Sequence, residues 1–122
     1  MIQKGTVLSI SDNTGIKKVK CIKIFGTSNP RYAKLGDIVL IAISNKDVIR
    51  KYSNVNIKLS LLINTKKFTK RLNGIYIGFD KTKSIIINRN YSFTGTRIYH
   101  IVTKDIRKHS ITNLQKYAKG YI

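Results

Sequence analysis

The sequence predicts a small, mainly β protein that folds as one closed, barrel-like domain. Six or so short segments rich in strand-forming residues are separated by turns that contain glycine, asparagine or aspartate. The 122 residues suffice for one domain with one core, and 42% of them are hydrophobic, which does not fit a disordered chain. Short strands within one domain favour a barrel, because closing the sheet pairs the backbone N–H and C=O groups at its edges.

The first half of the chain predicts three strands. The segment TVLSIS is followed by the turn sequence DNTG, and a second strand-like segment, VKCIKIF, ends at a glycine. Residues 27–37 contain the only proline and predict a loop. The next segment, DIVLIAIS, is apolar on both faces, as expected for a strand that is covered on both sides.

The second half predicts a long hairpin, two further strands and a helical end. The segment IKLSLLIN continues through a basic turn and back along GIYIGFD, so we expect a projecting hairpin over about residues 57–80. Asn73 and Gly74 favour a turn because both tolerate positive φ, but the length of the connection predicts an irregular tip. SIIIN and TGTRIYHIV supply two more strands. A helical segment is predicted over about residues 103–120: Ser110 as N-cap and Gly120 as the end signal predict a helix, and a shorter helical turn over residues 103–108 precedes it.

The charge of the chain is extreme. It has 24 Lys and Arg residues against five Asp and no Glu, a net charge of +19 and a pI near 10.3. The cations are spread along the chain, with 11 in residues 1–60 and 13 in residues 61–122. Such a body repels itself unless a polyanion neutralises it, and nucleic acid is the commonest such partner. A membrane is less favoured, because the longest apolar run, 38–43, is far shorter than the roughly 20 residues that span a bilayer.

Four groups of residues are candidate RNA contacts. They are Lys66, Lys67, Lys70 and Arg71 near the hairpin turn; Lys18 and Lys20 on the second strand; Arg31 and Tyr32 in the proline loop; and Lys104, Arg107 and Lys108 near the carboxy-terminal end. Arg97, directly after a glycine turn, is a further candidate. Alternation along the second strand predicts one face with Lys18, Lys20 and Ile22, and another with Val19, Cys21 and Lys23.

Each group also has a simpler interpretation. Cations on a turn are often only solvated, lysines can protect an exposed strand edge, and cations at a helix end can offset the backbone dipole. Because acids are scarce, we interpret the cations as phosphate contacts. Tyr32 could equally pack within its loop, and Phe68 could stack on an unpaired base or pack under the hairpin.

Catalysis is poorly supported by the residues present. Cys21 is the only cysteine, the two histidines are nine residues apart, and no familiar zinc spacing or phosphate-binding glycine loop occurs. Asp12 and Asp37 lie in turn sequences, where backbone hydrogen bonding explains an aspartate. The sequence therefore predicts no enzyme, no metal and no cofactor.

Four segments, in order, resemble a known family over nearly the whole chain: MIQKGTVLSISDNTGIKKVKCIKIFG, RYAKLGDIV, NTKKFTKRLNGIYIGFD, and GTRIY followed by VTKDIR. The family is that of the universal large-subunit ribosomal protein number fourteen, of bacterial and organellar type. The resemblance implies one domain over residues 1–122: a closed five-stranded β-barrel with a projecting hairpin and short carboxy-terminal helices. It also implies a structural role in the large ribosomal subunit, on the face that meets the small subunit.

The resemblance implies particular contacts and partners. By position, the contacts with large-subunit ribosomal RNA are Lys17, Lys18, Arg31, Lys66, Lys67, Lys70 and Arg71. Gly95, Thr96 and Arg97 fall where the family meets protein partners and the RNA of the small subunit. The implied protein neighbours are ribosomal proteins number nineteen and number three of the same subunit, with a ribosome-silencing factor as an occasional ligand and no membrane.

Composition adds an expectation about the source of the protein. The 21 Ile, 18 Lys and 10 Asn residues have A/T-rich codons, which indicates an A/T-rich genome. Together with a family-like start at Met1 and no apparent targeting extension, this predicts synthesis inside an organelle, a mitochondrion before a plastid. An A/T-rich bacterium is the alternative.

Two other classes of function fit less well. A free nucleic-acid-binding barrel of the cold-shock or single-strand type displays several aromatic residues on one strand face, whereas Tyr76 and Phe79 are predicted on opposite faces. A nuclease or RNA-modifying enzyme needs clustered carboxylates, which five scattered aspartates barely supply.

Overall fold

Seven strands make up the regular structure of the described residues. The computed structural model describes residues 2–25, 32–43, 57–90, 92–95 and 97–103. The strands are β1 (Val7–Ile10), β2 (Lys18–Ile24), β3 (Ile38–Ile43), β4 (Ile57–Asn64), β5 (Thr69–Lys70), β6 (Tyr76–Ile77) and β7 (Lys83–Ile87). Five of them close a barrel in the order β1-β2-β3-β4-β7, and β5 and β6 form a separate two-stranded sheet. The predicted five-stranded barrel is confirmed; the predicted helical segment lies, apart from residue 103, outside the described residues.

The barrel closes through one parallel pair. Antiparallel ladders join β1 to β2, β2 to β3, β3 to β4 and β4 to β7. The parallel pairing of β1 with β7, in which Ser9 lies opposite Lys83, completes the ring. Because β2 has a neighbour on each side, it is not an edge strand. The interpretation in which its lysines protect an exposed edge is therefore wrong.

The core has two parts. Inside the barrel, alternate residues of β1, β2 and β3 pack with Leu62 of β4 and Ile86 of β7. A second cluster lies on the opposite face of β4 and β7, where Ile98 and Val102 cover their isoleucines and leucines. The strands covered on both sides are thus β4 and β7. Strand β3 was predicted to be covered on both sides. Instead, one of its faces is buried and the other is half-buried.

The segment that covers the second cluster was predicted to be a strand. In the described part of residues 94–102 no strand forms: Ile98 bridges to Asp12, Val102 is a further bridge residue and, just before this segment, Phe93 bridges to Ile87. That prediction is wrong: β4 and β7 already have a partner strand on each side, so the segment can only cover them and bond to the backbone at single points, as Tyr99 does to Ser11. No helix among the described residues is long and apolar enough to cross a bilayer.

The hairpin is shorter than the predicted range of about 57–80. Residues 57–64 belong to the barrel as β4, and the hairpin sheet occupies residues 69–77. At its turn the Arg71 N–H donates to the Ile75 carbonyl over 2.9 Å, and the Gly74 N–H donates to the Arg71 carbonyl over 3.0 Å. Gly74 has a φ of +84°, which glycine adopts without steric cost. A three-residue turn of this kind is tight and regular, so the prediction of an irregular tip is wrong.

Candidate nucleic-acid interface

The outer surface of β2 carries three exposed lysines. Its alternation is interrupted after Cys21, where the register with β3 shifts before Lys23. This irregularity places Ile22 and Lys23 both outside and returns Ile24 to the core. The alternation had assigned Lys23 to the inner face, which is wrong because a bulge adds one residue to the strand. The exposed cations of this surface, which we call the β2 face, are Lys18, Lys20 and Lys23.

Among the described residues, short side chains flank the β2 face. Lys20 lies opposite Val7 on β1 and Ala42 on β3, whose side chains are short. Lys17, the residue before β2, is exposed as well. The Lys23 ammonium lies 5.6 Å from the centroid of the Phe25 ring, so this cation also has an aromatic neighbour.

The single cysteine lies beneath this face. Cys21 is buried, and burial raises the pKa of its thiol, partly offset by the positive charge of Lys4. A protonated, buried thiol is a poor nucleophile and a poor metal ligand. Cys21 is therefore a core residue of the barrel.

One lateral row of residues connects the β2 face to the base of the hairpin. Lys18 pairs with Ser9, Ser9 with Lys83, and Lys83 with Asn64, the last residue of β4. Burial lowers the pKa of the Lys83 ammonium, and the like charge of Lys81 lowers it further against the opposing effect of Asp80. A bound anion at this row would relieve that repulsion.

The hairpin presents a second group of cations. Lys66 and Lys67 occupy a bend between β4 and β5, which is held in part by a 3.2 Å hydrogen bond from the Thr65 hydroxyl to the Lys67 carbonyl. The Lys70 ammonium lies 6.0 Å from the centroid of the Tyr76 ring on the facing strand. We call the four cations the hairpin cluster: Lys66, Lys67 and Lys70, which are exposed, and Arg71, which is half-buried.

Phe68 stands within the hairpin cluster and is 67% exposed. Its ring nevertheless contacts the hairpin: a Cβ built on Gly78 would lie 2.8 Å from Cδ1 and 3.0 Å from Cε1 of Phe68. The ring therefore packs against the glycine through Cγ, Cδ1 and Cε1, while most of the residue stays exposed. The packing alternative for Phe68 is observed, and it leaves room for a stacked ligand.

The remaining predicted RNA contacts are only partly described. Tyr32 is 42% exposed and precedes Ala33, whose N–H donates to the Ile2 carbonyl over 2.7 Å. This pairing fixes the backbone and leaves both interpretations of Tyr32 open. Four predicted contacts lie outside the described residues: Arg31, Lys104, Arg107 and Lys108.

The predicted partner-binding segment packs against the turn that joins β1 to β2. A Cβ on Gly95 would lie 2.7 Å from the Asn13 Oδ1 and 3.1 Å from the Asp12 Cβ, so only glycine fits this approach without displacement. The Arg97 N–H donates to the Asn13 Oδ1 over 3.4 Å, and the Arg97 side chain is exposed. Thr96 lies outside the described residues. Sequence reasoning missed Asn13, which reads as an ordinary turn residue.

Two further hydrogen bonds hold the chain beyond Arg97. The Tyr99 N–H donates to the Ser11 carbonyl over 2.8 Å, and the Ser11 hydroxyl lies 2.5 Å from the His100 Nδ1. The exposed Arg97 side chain is thus carried on a backbone that is fastened to the barrel.

The described aspartates at turns act structurally, as predicted. The Asp12 Oδ1 accepts from the Thr14 N–H at 3.2 Å and its hydroxyl at 2.6 Å, and the Asp12 Oδ2 accepts from the Ile86 N–H at 3.0 Å. The Asp37 Oδ2 accepts from the Lys34 N–H at 2.7 Å. Among the described residues, no three His, Cys, Asp or Glu side chains are grouped so that they could hold a metal ion.

Comparisons with known proteins identify the family of the chain. The sequence matches the model of the family described as Ribosomal protein L14p/L23e over residues 1–122. It is similar to the large ribosomal subunit protein uL14c of Cuscuta gronovii, with 33% identity over 118 residues, 97% of this chain and 97% of that protein. The match therefore includes the β2 face, the hairpin cluster and the Gly95–Arg97 segment together. The chain belongs to the L14p/L23e family of ribosomal proteins.

Proposed function

We propose that the β2 face and the hairpin cluster are the surfaces through which this chain binds large-subunit ribosomal RNA. As a member of its family, the chain is a structural constituent of the large ribosomal subunit and not an enzyme, and it binds ribosomal RNA and other large-subunit proteins. One observation supports this assignment above the others. Exposed lysines line β2, and both edges of β2 are paired, so the lysines have no edge to protect.

The mechanism is electrostatic and depends on a rigid scaffold. The barrel holds the lysines of β2 at the spacing of a strand, so they meet phosphates without first losing backbone freedom. Each Lys–phosphate contact releases condensed counterions, and the affinity therefore falls with salt. Against duplex RNA, such contacts recognise the position of phosphates rather than base edges.

The Gly95–Arg97 segment is the second part of the proposal. Asn13 bonds to Arg97, and Ser11 bonds to Tyr99 just beyond the segment, so the Arg97 side chain is presented for contact with protein neighbours and with small-subunit RNA across the subunit interface. The neighbours we propose are ribosomal proteins number nineteen and number three, and a ribosome-silencing factor is an occasional ligand. Residues 1–122 act here as one unit.

The ribosome that contains this chain is proposed to be organellar. The support is the abundance of Ile, Lys and Asn, which indicates an A/T-rich genome. A mitochondrial ribosome is the first choice and a plastid ribosome the second.

Salt dependence of binding tests the hairpin cluster. Lys67→Ala and Arg71→Ala are each expected to weaken binding to ribosomal RNA and to reduce the slope of log K against log salt concentration by about 0.7 to 0.9. Lys34→Ala is the matched control, because Lys34 is an exposed lysine on a turn outside the proposed surfaces. If both hairpin variants keep the wild-type slope, the assignment of the hairpin is wrong.

Sedimentation distinguishes the ribosomal role from that of a free nucleic-acid-binding barrel. In the described part of the chain the exposed aromatic residues are dispersed over four places, which does not resemble a stacking face on one barrel sheet: Phe25 after β2, Tyr32 before β3, Phe68 and Tyr76 in the hairpin, and Tyr99 beyond β7. We expect the full-length chain to migrate with the large subunit on a gradient at high salt. Recovery mainly as free protein would favour the free barrel.

A further inference from the structure

We propose that Phe68 is a stacking platform for one unpaired RNA base and that Gly78 holds its ring in position. The inference rests on the proposed function, since it concerns the same hairpin. It adds a different kind of contact: the lysines recognise phosphates, whereas an aromatic ring recognises the flat face of a base.

The Phe68 ring contacts Gly78 and the residue is otherwise largely exposed. The Cγ, Cδ1 and Cε1 atoms of Phe68 lie 3.3, 2.8 and 3.0 Å from the place that a Cβ on Gly78 would occupy. Any side chain at residue 78 would therefore displace the ring. With 67% of the residue exposed, the remainder of the ring can accept a second flat group.

The charges around Phe68 favour RNA as the partner. Lys66 and Lys67 directly precede it, Lys70 follows two residues later, and all three side chains are exposed. An aromatic ring among cations matches a nucleotide, whose base stacks while its phosphate meets an ammonium group. Three other large side chains of the hairpin are exposed, Leu72 and Ile75 at the turn and Tyr76 on β6, so a protein partner on this hairpin is the competing outcome of the test.

Binding of a defined RNA by the full-length protein tests the proposal. The probes are an RNA stem with one unpaired adenosine and the same stem with an abasic nucleotide at that position. The wild type is expected to prefer the unpaired adenosine, and Phe68→Leu to bind it roughly five- to a hundredfold more weakly with an unchanged salt slope. Phe68→Tyr should retain the preference.

Gly78→Ala provides a second variant that keeps the aromatic residue. The new methyl group would displace the Phe68 ring, so the preference should fall as it does in Phe68→Leu. Leu72→Ala removes an exposed apolar side chain of the same hairpin and serves as the control, with no change expected. Thermal unfolding shows whether Gly78→Ala still folds. If it does not, Phe68→Leu alone tests the stacking platform, because shortening an exposed side chain leaves the core intact.

Fluorescence separates a base from a protein as the occupant. The chain contains no tryptophan, so Phe68→Trp introduces a single reporter at the platform. Stacking on a base should quench its emission with the adenosine stem and much less with the abasic stem. Emission that is unquenched by RNA but shifts to shorter wavelength with purified large-subunit proteins would overturn the proposal in favour of protein docking.

Failure of the inference and failure of the proposed function have different signatures. If Phe68→Leu keeps the wild-type preference while Lys67→Ala still reduces the salt slope, the stacking platform is rejected and the phosphate-binding surface stands. If neither substitution changes binding, both assignments on the hairpin are rejected.

Discussion

Asp12 is the residue that joins the local turn to the distant strand. Its carboxylate accepts two hydrogen bonds from Thr14, within the β1–β2 turn, and a third from the Ile86 N–H of β7, 74 residues away. Asp12 and Thr14 are both buried, so water cannot replace these bonds. The same turn provides Asn13, against which Gly95 packs. A single buried acid therefore organises the surface on which the partner-binding segment rests.

Asp12→Ala is expected to destabilise the full-length protein by about 3 kcal/mol, because it leaves buried donors without an acceptor. Chemical denaturation, followed by the loss of β-sheet circular dichroism, measures the change in the free energy of unfolding. Asp37→Ala is the comparison: its hydrogen bond to the Lys34 N–H is solvent-exposed, and the expected loss is about 1 kcal/mol or less. Equal losses in the two variants would contradict the long-range role of Asp12.

Individual residues show what a sequence pattern can and cannot specify. The turn role of Asp12 was predictable, because an aspartate in DNTG bonds to its own turn. Its bond to Ile86 was not, because that contact depends on the parallel pairing of β1 with β7. Lys23 was misassigned for a related reason: alternation describes a regular strand, and the irregularity after Cys21 is determined by pairing with β3.

At the scale of elements, β2 combines an apolar inner surface that packs in the core with a charged outer surface that faces solvent. Its inner face contributes Val19, Cys21 and Ile24 to the core, and its outer face carries the three lysines of the β2 face. Since both backbone edges are paired, the lysines have no protective function there. Neutralising them therefore tests RNA binding without exposing a strand edge.

A triple substitution of the β2 face by glutamine is expected to reduce the salt slope of RNA binding by about 2 to 3, at roughly 0.7 to 0.9 for each lost phosphate contact. The midpoint of thermal unfolding should stay the same or rise slightly, since like charges are removed from an exposed face. Size-exclusion chromatography should show the same hydrodynamic radius as for the wild type. Concentration-dependent aggregation with an unchanged salt slope would instead indicate that the lysines prevent association.

The elements differ in how well the sequence specified them. The barrel strands follow from short β-branched segments between turn residues, and the parts of them that were predicted agree with the structure. The two-residue strands β5 and β6 have too few positions to show a period, and the irregular segment before Val102 is shaped by the cluster it covers. The basic surfaces were recognised from composition, whereas the lateral row through Lys83 required the strand register.

At the scale of the whole molecule, stability and RNA binding should respond to salt in opposite directions. A net charge of +19 on 122 residues destabilises the folded chain through self-repulsion, which added ions screen. The same ions weaken the attraction between the lysines and phosphates. A chain whose cations were mostly paired with its own acids would show neither effect strongly.

We expect the midpoint of thermal unfolding of the free full-length protein to rise by several degrees between about 0.05 and 0.5 M sodium chloride, as the Debye length shortens. Over the same range, its affinity for duplex RNA should fall by orders of magnitude. Duplex RNA added at low salt should itself raise the midpoint, because a ligand that binds the folded state stabilises it by mass action. Sucrose, which strengthens burial without screening charge, is the control: it should raise the midpoint without weakening RNA binding as salt does. A midpoint that falls with salt would mean that attractive pairs dominate within the free protein, and the excess of cations could not then be the feature that RNA neutralises.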